Sequence, residues 1–262
     1  MTGSLERVEQ ALDGWRGSQP LVLGICGAQG SGKSTLSDAL AERLNGRGIR
    51  TAVLSLDDLY LSRARRADLA RAVHPLFKTR GVPGTHDVAL GVALLDAVRT
   101  GRGVTLPRFD KGIDDPVPRA EWPVMEGPVD VLIFEGWCIG ARAQDVAALN
   151  DPINGLERDS DAEGVWRRHA NAALAGAYAD LFGRLDRLVL LAAPEFGVVE
   201  RWRLEQEHAL RLRAGGRGMS DAEIAIFVQH YERLTRHILS DMPAYADLTI
   251  RLDEARRPRE TP

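Results

Sequence analysis

Apolar residues fall along this chain in two alternating rhythms. The short, largely apolar runs Leu21–Cys26, Thr51–Leu56, Val129–Phe134 and Leu188–Ala192 are too brief for helices and read as strands buried on both faces. Between them, spacings of three and four return, as at Leu36, Leu40 and Leu44, and predict amphipathic helices. Helices are expected over Leu5–Trp15, over Ser34–Leu44 closed by Asn45-Gly46, and over an arginine-rich 63–73 stopped by His74-Pro75. Others are expected at 88–99, 160–182, 195–213 and 220–239, the last two separated by Gly215-Gly216-Arg217-Gly218. Residues 104–128 are rich in proline with little period and read as an extended loop, as does Asn150–Gly155. A short strand over Asp247–Leu252 precedes a polar tail, 253–262, expected to fray. Strands alternating with helices predict an α/β fold, with a parallel sheet covered on both faces. The chain reads as a single domain with its core over about 20–252 and a helix within 1–18.

Composition narrows the partners more than the fold. A formal net charge of −3 lacks the basic excess of a nucleic-acid binder. No apolar run approaches the ~20 residues that span a bilayer, and the first residues lack the pattern of a secretory signal, so a cytosolic protein is expected. Cys26 and Cys138 both lie in apolar runs and are expected as buried free thiols. Of 34 basic residues only Lys33, Lys78 and Lys111 are lysines. A chain that uses arginine almost everywhere keeps lysine where a compact ammonium is needed.

One segment carries definite chemistry. Gly27-Ala28-Gln29-Gly30-Ser31-Gly32-Lys33-Ser34 matches G-x-x-x-x-G-K-S/T in full, between an expected strand and an expected helix. In such a phosphate-binding loop (P-loop) the glycines turn successive N–H groups toward a triphosphate. The lysine reaches its β and γ oxygens, and the hydroxyl of Ser34 ligates Mg²⁺. Gly27 through Thr35 are therefore the expected nucleotide site, with the helix N-terminus adding partial positive charge.

Carboxylates follow at two strand ends. Ligands of a parallel sheet bind beyond the carboxyl ends of its strands, which places Asp57 and Asp58 near the phosphates. One could accept or orient the proton of an alcohol acceptor and the other hold Mg²⁺ through water, unless either merely caps the next helix. Asp57, first after the strand, is taken as the base and Asp58 as the metal-side residue. Val131–Gly136 has the shape of a Walker B strand ending in Glu135, expected to hold the Mg²⁺ water shell or polarise the acceptor. Arg80, His86, Arg108 and Lys111 gather in irregular stretches and suit an anionic small-molecule acceptor. His86-Asp87 could equally be a packed histidine beside a helix cap. Arg201 and Arg203 open the helix after the fourth strand, where a lid would bring positive charge onto the transition state, and Arg201 is the expected catalytic one.

Together these motifs resemble a known family. Gly27–Thr35, Ser55–Tyr60, Arg80–Asp87, Leu106–Lys111, Phe134–Trp137, Arg201–Glu207 and Gly218–Asp221 follow the order seen in D-glycerate 3-kinases of the plant and fungal type, within the phosphoribulokinase/uridine kinase branch of P-loop kinases. The resemblance runs from about residue 20 to 250 and departs between about 144 and 175, apart from Asn150–Asn154. It implies a P-loop NTPase fold with ATP and Mg²⁺ as cofactors, Lys33 and Ser34 on nucleotide and metal, Asp57 as base, and transfer to a hydroxyl of glycerate. Tyr60, in the second motif, joins Arg80, His86, Arg108 and Lys111 as an expected acceptor contact. A nucleoside, sugar or vitamin-like alcohol is an alternative acceptor. A GTPase or ATPase switch and a non-catalytic nucleotide module are alternatives of another class. The switch is disfavoured because none of the three lysines follows an asparagine, as a guanine-binding Asn-Lys-x-Asp requires.

Overall fold

The computed structural model describes residues 2–213 and 218–259. Helix α1 (Thr2–Trp15) leads to strand β1 (Leu21–Gly27), helix α2 (Lys33–Gly46) and strand β2 (Thr51–Ser55). A single 3₁₀ turn, Leu56–Leu59, then precedes α3 (Arg63–Ala72) and α4 (Val88–Arg99). Four two-residue strands follow: β3 (Val104–Thr105), β4 (Phe109–Asp110), β5 (Asp115–Pro116) and β6 (Val124–Met125). After β7 (Val131–Gly136) come α5 (Gly155–Ser160), α6 (Val165–Ala173) and α7 (Ala179–Phe182). The chain ends through β8 (Arg187–Ala192), α8 (Phe196–Arg213), α9 (Asp221–Asp241) and β9 (Leu248–Arg251).

Five parallel strands form the central sheet in the order β2-β7-β1-β8-β9. Their unbroken apolar runs are explained by two separate cores. Val22 and Cys26 of β1, Leu132 and Phe134 of β7, and Leu188 and Leu190 of β8 face one core with α4 and α9. The alternate residues Leu23, Ile25, Val131, Ile133, Val189 and Leu191 face the other, with α1 and α2. Side chains two apart share a face, so a strand covered on both sides must be apolar at every position. Helix α2 meets its core through Leu36, Leu40 and Leu44, as their spacing predicts.

Three expectations change. The helix expected over 160–182 is broken: α6 starts at a left-handed Gly164, and a wide turn at Leu174–Tyr178 separates it from α7, with Gly176 at φ −105°, ψ −107°. The loop over 104–128 contains two small antiparallel ribbons, β3–β6 and β4–β5. The tail over 253–259 is not frayed. Arg259 N–H donates to the Arg251 carbonyl at 2.7 Å and Arg257 Nε to Asp253 Oδ2 at 2.8 Å. Its polar side chains bond to one another and to the body of the protein, whereas a solvated tail has only water. Residues 260–262 of that tail, and Gly215-Gly216-Arg217 of the linker between the last two helices, lie outside the described residues. No helix among the described residues is long and apolar enough to cross a membrane.

Candidate active site

A cleft of about 510 Å³ opens beyond the carboxyl ends of β1, β2 and β7, within the size range of small-ligand sites. Its floor is the P-loop. Gly30 (φ 77°) and Gly32 (φ 86°) take left-handed conformations. A Cβ at residue 30 would also stand 2.5 Å from Trp202 Cβ, so only glycine allows α8 to lie against the loop. Gln29, Gly30, Lys33 and Ser34 line the cleft. Ala28 is buried beneath, and Thr35 is exposed on the first turn of α2, outside the cleft lining. Lys33 lines the cleft and makes no ion pair among the described residues.

Glu135 sits beside this floor because β7 is the immediate neighbour of β1, pairing Glu135 with Ile25. It is 4% exposed, and its Oε1 accepts from the Ser34 hydroxyl at 3.1 Å. Its Oε2 has no hydrogen-bond partner among the described residues. An orphaned carboxylate oxygen beside a hydroxyl is a hard-oxygen pair of the kind Mg²⁺ takes. No cluster of three or more His, Cys, Asp or Glu among the described residues could cage a metal.

The two aspartates part company. The 3₁₀ turn rotates successive side chains by about 120°, so only Asp57 faces the cleft. Its Oδ1 accepts from the Tyr60 hydroxyl at 2.7 Å and its Oδ2 from Lys111 Nζ at 2.6 Å. Burial alone would raise its pKa, but the charges of Lys111 and Lys33 and the two hydrogen bonds bring it down to about 2. Asp58 turns away: its Oδ1 accepts from the Phe109 N–H at 3.0 Å and its Oδ2 from Arg108 at 3.4 Å. It was expected beside the metal. It instead pins the loop that carries Lys111, and Arg108, expected on the acceptor, is engaged in the same anchor.

His86 is also displaced from its expected place. It lies behind Tyr60, stacked at 4.7 Å between ring centroids, and is 4% exposed. The Tyr178 hydroxyl accepts from Gly84 N–H at 3.0 Å and shares a hydrogen bond with His86 Nδ1, 2.5 Å away. Burial pushes the His86 pKa down to about 3, so the ring is neutral and acts as a backing plate. Tyr60 itself lines the cleft, with Phe109 edge-on at 5.3 Å.

Arg80 lines the cleft and pairs with Asp114, whose other oxygen is 2.7 Å from Arg66. Arg66 is 1% exposed, and it also donates to the carbonyls of Leu61 (3.1 Å), Lys78 (3.0 Å) and Asp114 (3.0 Å). One buried guanidinium thus ties together three loops beside the cleft. Two guanidiniums share one carboxylate, leaving a net charge of +1 there. Sequence reasoning missed Arg66 because an arginine in an arginine-rich helix looks like solvated surface. Its only signal is position, near the start of a helix that follows the Asp57 segment.

The opposite wall is formed by α8 with α9. Arg203 lines the cleft and bonds Glu207 at 2.6 Å, whereas Arg201, the expected catalytic arginine, lies outside it and pairs with Glu254 at 2.9 Å. Two residues apart on a helix are about 200° apart around its axis, so one of the pair had to face away. Tyr231 of α9 completes the wall and donates to the Arg80 carbonyl at 3.0 Å. It packs so tightly on Gly81 (φ 133°) that a Cβ there would overlap its hydroxyl.

Comparison with known proteins agrees with this geometry. The family model of the methylmalonyl-CoA mutase-associated GTPase MeaB matches residues 10–60, the segment around the P-loop. An uncharacterized kinase of Schizosaccharomyces pombe is 39% identical over 224 residues, covering 81% of this chain and 79% of that protein. The chloroplastic D-glycerate 3-kinase of Arabidopsis thaliana is 32% identical over 262 residues. That match covers 91% of this chain but 54% of the plant protein, so the chain spans about half the length of this relative. The solved D-glycerate 3-kinase from Cryptococcus neoformans var. grubii superposes with a TM-score of 0.79 at 25% identity, covering 100% of this chain and 97% of that one.

Proposed function

Since the chain belongs to the family of P-loop kinases that includes D-glycerate 3-kinase, we propose that it transfers the γ-phosphoryl group of ATP to a hydroxyl of D-glycerate. The observation that carries this reading is Asp57, held between Tyr60 and Lys111 in the cleft that Lys33 and Ser34 also line.

The P-loop and Lys33 seat the triphosphate at the cleft floor. Ser34 and Glu135 are the fitting donors for Mg²⁺, which would neutralise charge on the phosphates when bound. The acceptor lies between Asp57 and the cationic Arg80–Asp114–Arg66 group, which suits a carboxylate. Each carboxylate oxygen can accept two hydrogen bonds, so Asp57 still has room for the acceptor hydroxyl. As that oxygen bonds to the γ phosphorus, the bond to the β,γ-bridging oxygen breaks and ADP leaves, while the hydroxyl proton passes to Asp57 and from it to solvent. A carboxylate with a pKa near 2 is a weak base. Its work is to orient the hydroxyl, with the proton lost late, as a loose phosphoryl-transfer transition state allows. Arg203 stands on the lid wall to meet charge on the transferring group.

The deciding experiment is an acceptor panel with purified protein, ATP and Mg²⁺, scored by phosphorylated product. Turnover on D-glycerate is expected. Turnover on nucleosides with none on D-glycerate would remove the acceptor, and ATP hydrolysis indifferent to every acceptor would remove the kinase chemistry.

A further inference from the structure

The turn after β9 reaches back to the phosphate loop. Arg256 Nε donates to the Gly30 carbonyl at 2.6 Å, a link across 226 residues. Its Nη2 pairs with Glu205 at 2.6 Å, and the guanidinium lies over the Trp202 ring, 5.1 Å from its centroid. The Trp202 indole in turn donates to the Glu254 carbonyl at 2.7 Å. One side chain therefore joins the C-terminal turn, the lid helix α8 and the P-loop. Its own backbone sits at φ 63°, a left-handed conformation that costs energy in any residue but glycine.

The carbonyl and N–H of a trans peptide point in opposite directions. In the Gly30–Ser31 peptide the N–H is bonded to the Ala28 carbonyl at 3.1 Å, and the carbonyl is directed at Arg256. An anion cradle needs N–H groups turned inward and carbonyls turned away. Glycines at 30 and 32 give this stretch wide conformational freedom, so the peptide plane could rotate and set an oxygen against the phosphates. The Ala28 acceptor and the Arg256 donor hold the plane from opposite sides.

We propose that Arg256 is a positioning residue for the nucleotide cradle. It fixes the Gly30–Ser31 peptide and thereby couples the seating of α8 to phosphate affinity. This rests on the nucleotide reading of the P-loop and is independent of the acceptor.

The test compares ATP dissociation constants by calorimetry, with Mg²⁺ present, in the intact protein and in Arg256→Ala, Arg256→Lys and Arg257→Ala, alongside thermal unfolding. Arg257 pairs with Asp253 inside the same turn, so its loss reports the turn's stability alone. Arg256→Ala is expected to weaken ATP binding about tenfold, the scale of one charge-assisted hydrogen bond, with the acceptor KM within about twofold of wild type. Lysine keeps the charge but not the planar fork, so Arg256→Lys should lose about threefold. Arg257→Ala should lower Tm and leave ATP affinity unchanged. A folded Arg256→Ala that binds ATP within about twofold of wild type overturns the proposal, as do equal losses in the Arg256 and Arg257 variants. If the wild-type protein binds no ATP, the nucleotide reading falls and takes this proposal with it.

Discussion

Lys111 Nζ lies 2.6 Å from Asp57 Oδ2, bringing together residues 54 apart in sequence. The pair forms because the adjacent Asp58 anchors the backbone of the loop on which Lys111 rides. Two neighbouring carboxylates thus divide the work, one facing the cleft and one anchoring the loop of the partner that sets the first one's charge.

Replacing Lys111 by methionine removes the largest influence that lowers the Asp57 pKa, so that pKa is expected to rise toward or above the ordinary carboxylate range. In wild type, Asp57 stays ionised well below pH 4 and sets no acid limb near neutrality. In Lys111→Met, kcat/KM should acquire an acid limb at higher pH. A pH–rate profile over pH 4–8 checks this, and superimposable profiles would separate Lys111 from the ionisation of Asp57.

Asp57→Asn is expected to lower kcat by roughly 10²–10⁴, the usual range for a lost proton-handling group, with ATP affinity within about twofold. Lys33→Ala should instead weaken ATP binding by roughly 10–100-fold. Calorimetry with ATP together with single-turnover product formation distinguishes the two effects. Retained transfer in Asp57→Asn would exclude that carboxylate from the reaction.

Arg66→Met removes a buried cation from Asp114 and from three backbone carbonyls. Breaking a buried charged network by removing one partner costs about 3–5 kcal/mol. Chemical denaturation should show a loss near that size, and any folded fraction should show a raised acceptor KM, because Arg80 would hold Asp114 alone. A loss under about 1 kcal/mol would mean that the three loops do not depend on Arg66.

His86 gives a pH signature. Its folded-state pKa of about 3 lies below the unfolded value of about 6.5, so the unfolded chain binds the extra proton and stability falls as pH drops from about 6.5 toward 3. Between pH 6.5 and 4.5 this amounts to about 2–3 kcal/mol. Asp57, depressed from 3.8 to about 2, stabilises the fold above 3.8 and loses that contribution only at lower pH, so the two windows are separable. His86→Gln should flatten the stability curve between pH 6.5 and 4.5, as measured by urea unfolding.

The strands and the phosphate loop were legible because their causes are local. Period-two burial writes itself as unbroken apolar runs, and the turn at Gly30 and Gly32 demands glycine. What was not legible depends on direction. Order after the strand singled out Asp57, but that Asp58 turns away to anchor a loop follows from the 3₁₀ turn, which the sequence does not display. Arg201 and Arg203 are separated by the same geometry of a helix face. Arg66 and Arg256 could not be told from surface arginines, since each is held in part by backbone carbonyls, which leave no mark in composition. The break near Gly176 was hidden because the residues on both sides of it are good helix formers.

The bond from Arg256 to Gly30 also sets an order of events during synthesis. Gly30 leaves the ribosome 226 residues ahead of the side chain that steadies it, an interval of roughly 10–45 s at ordinary elongation rates. Through that interval the Gly30–Ser31 peptide lacks its Arg256 restraint and has only the Ala28 carbonyl to hold it. On the proposed role of Arg256, nucleotide would be a poor template for early folding, and tight binding would mark a chain in which β9 and the turn after it have docked.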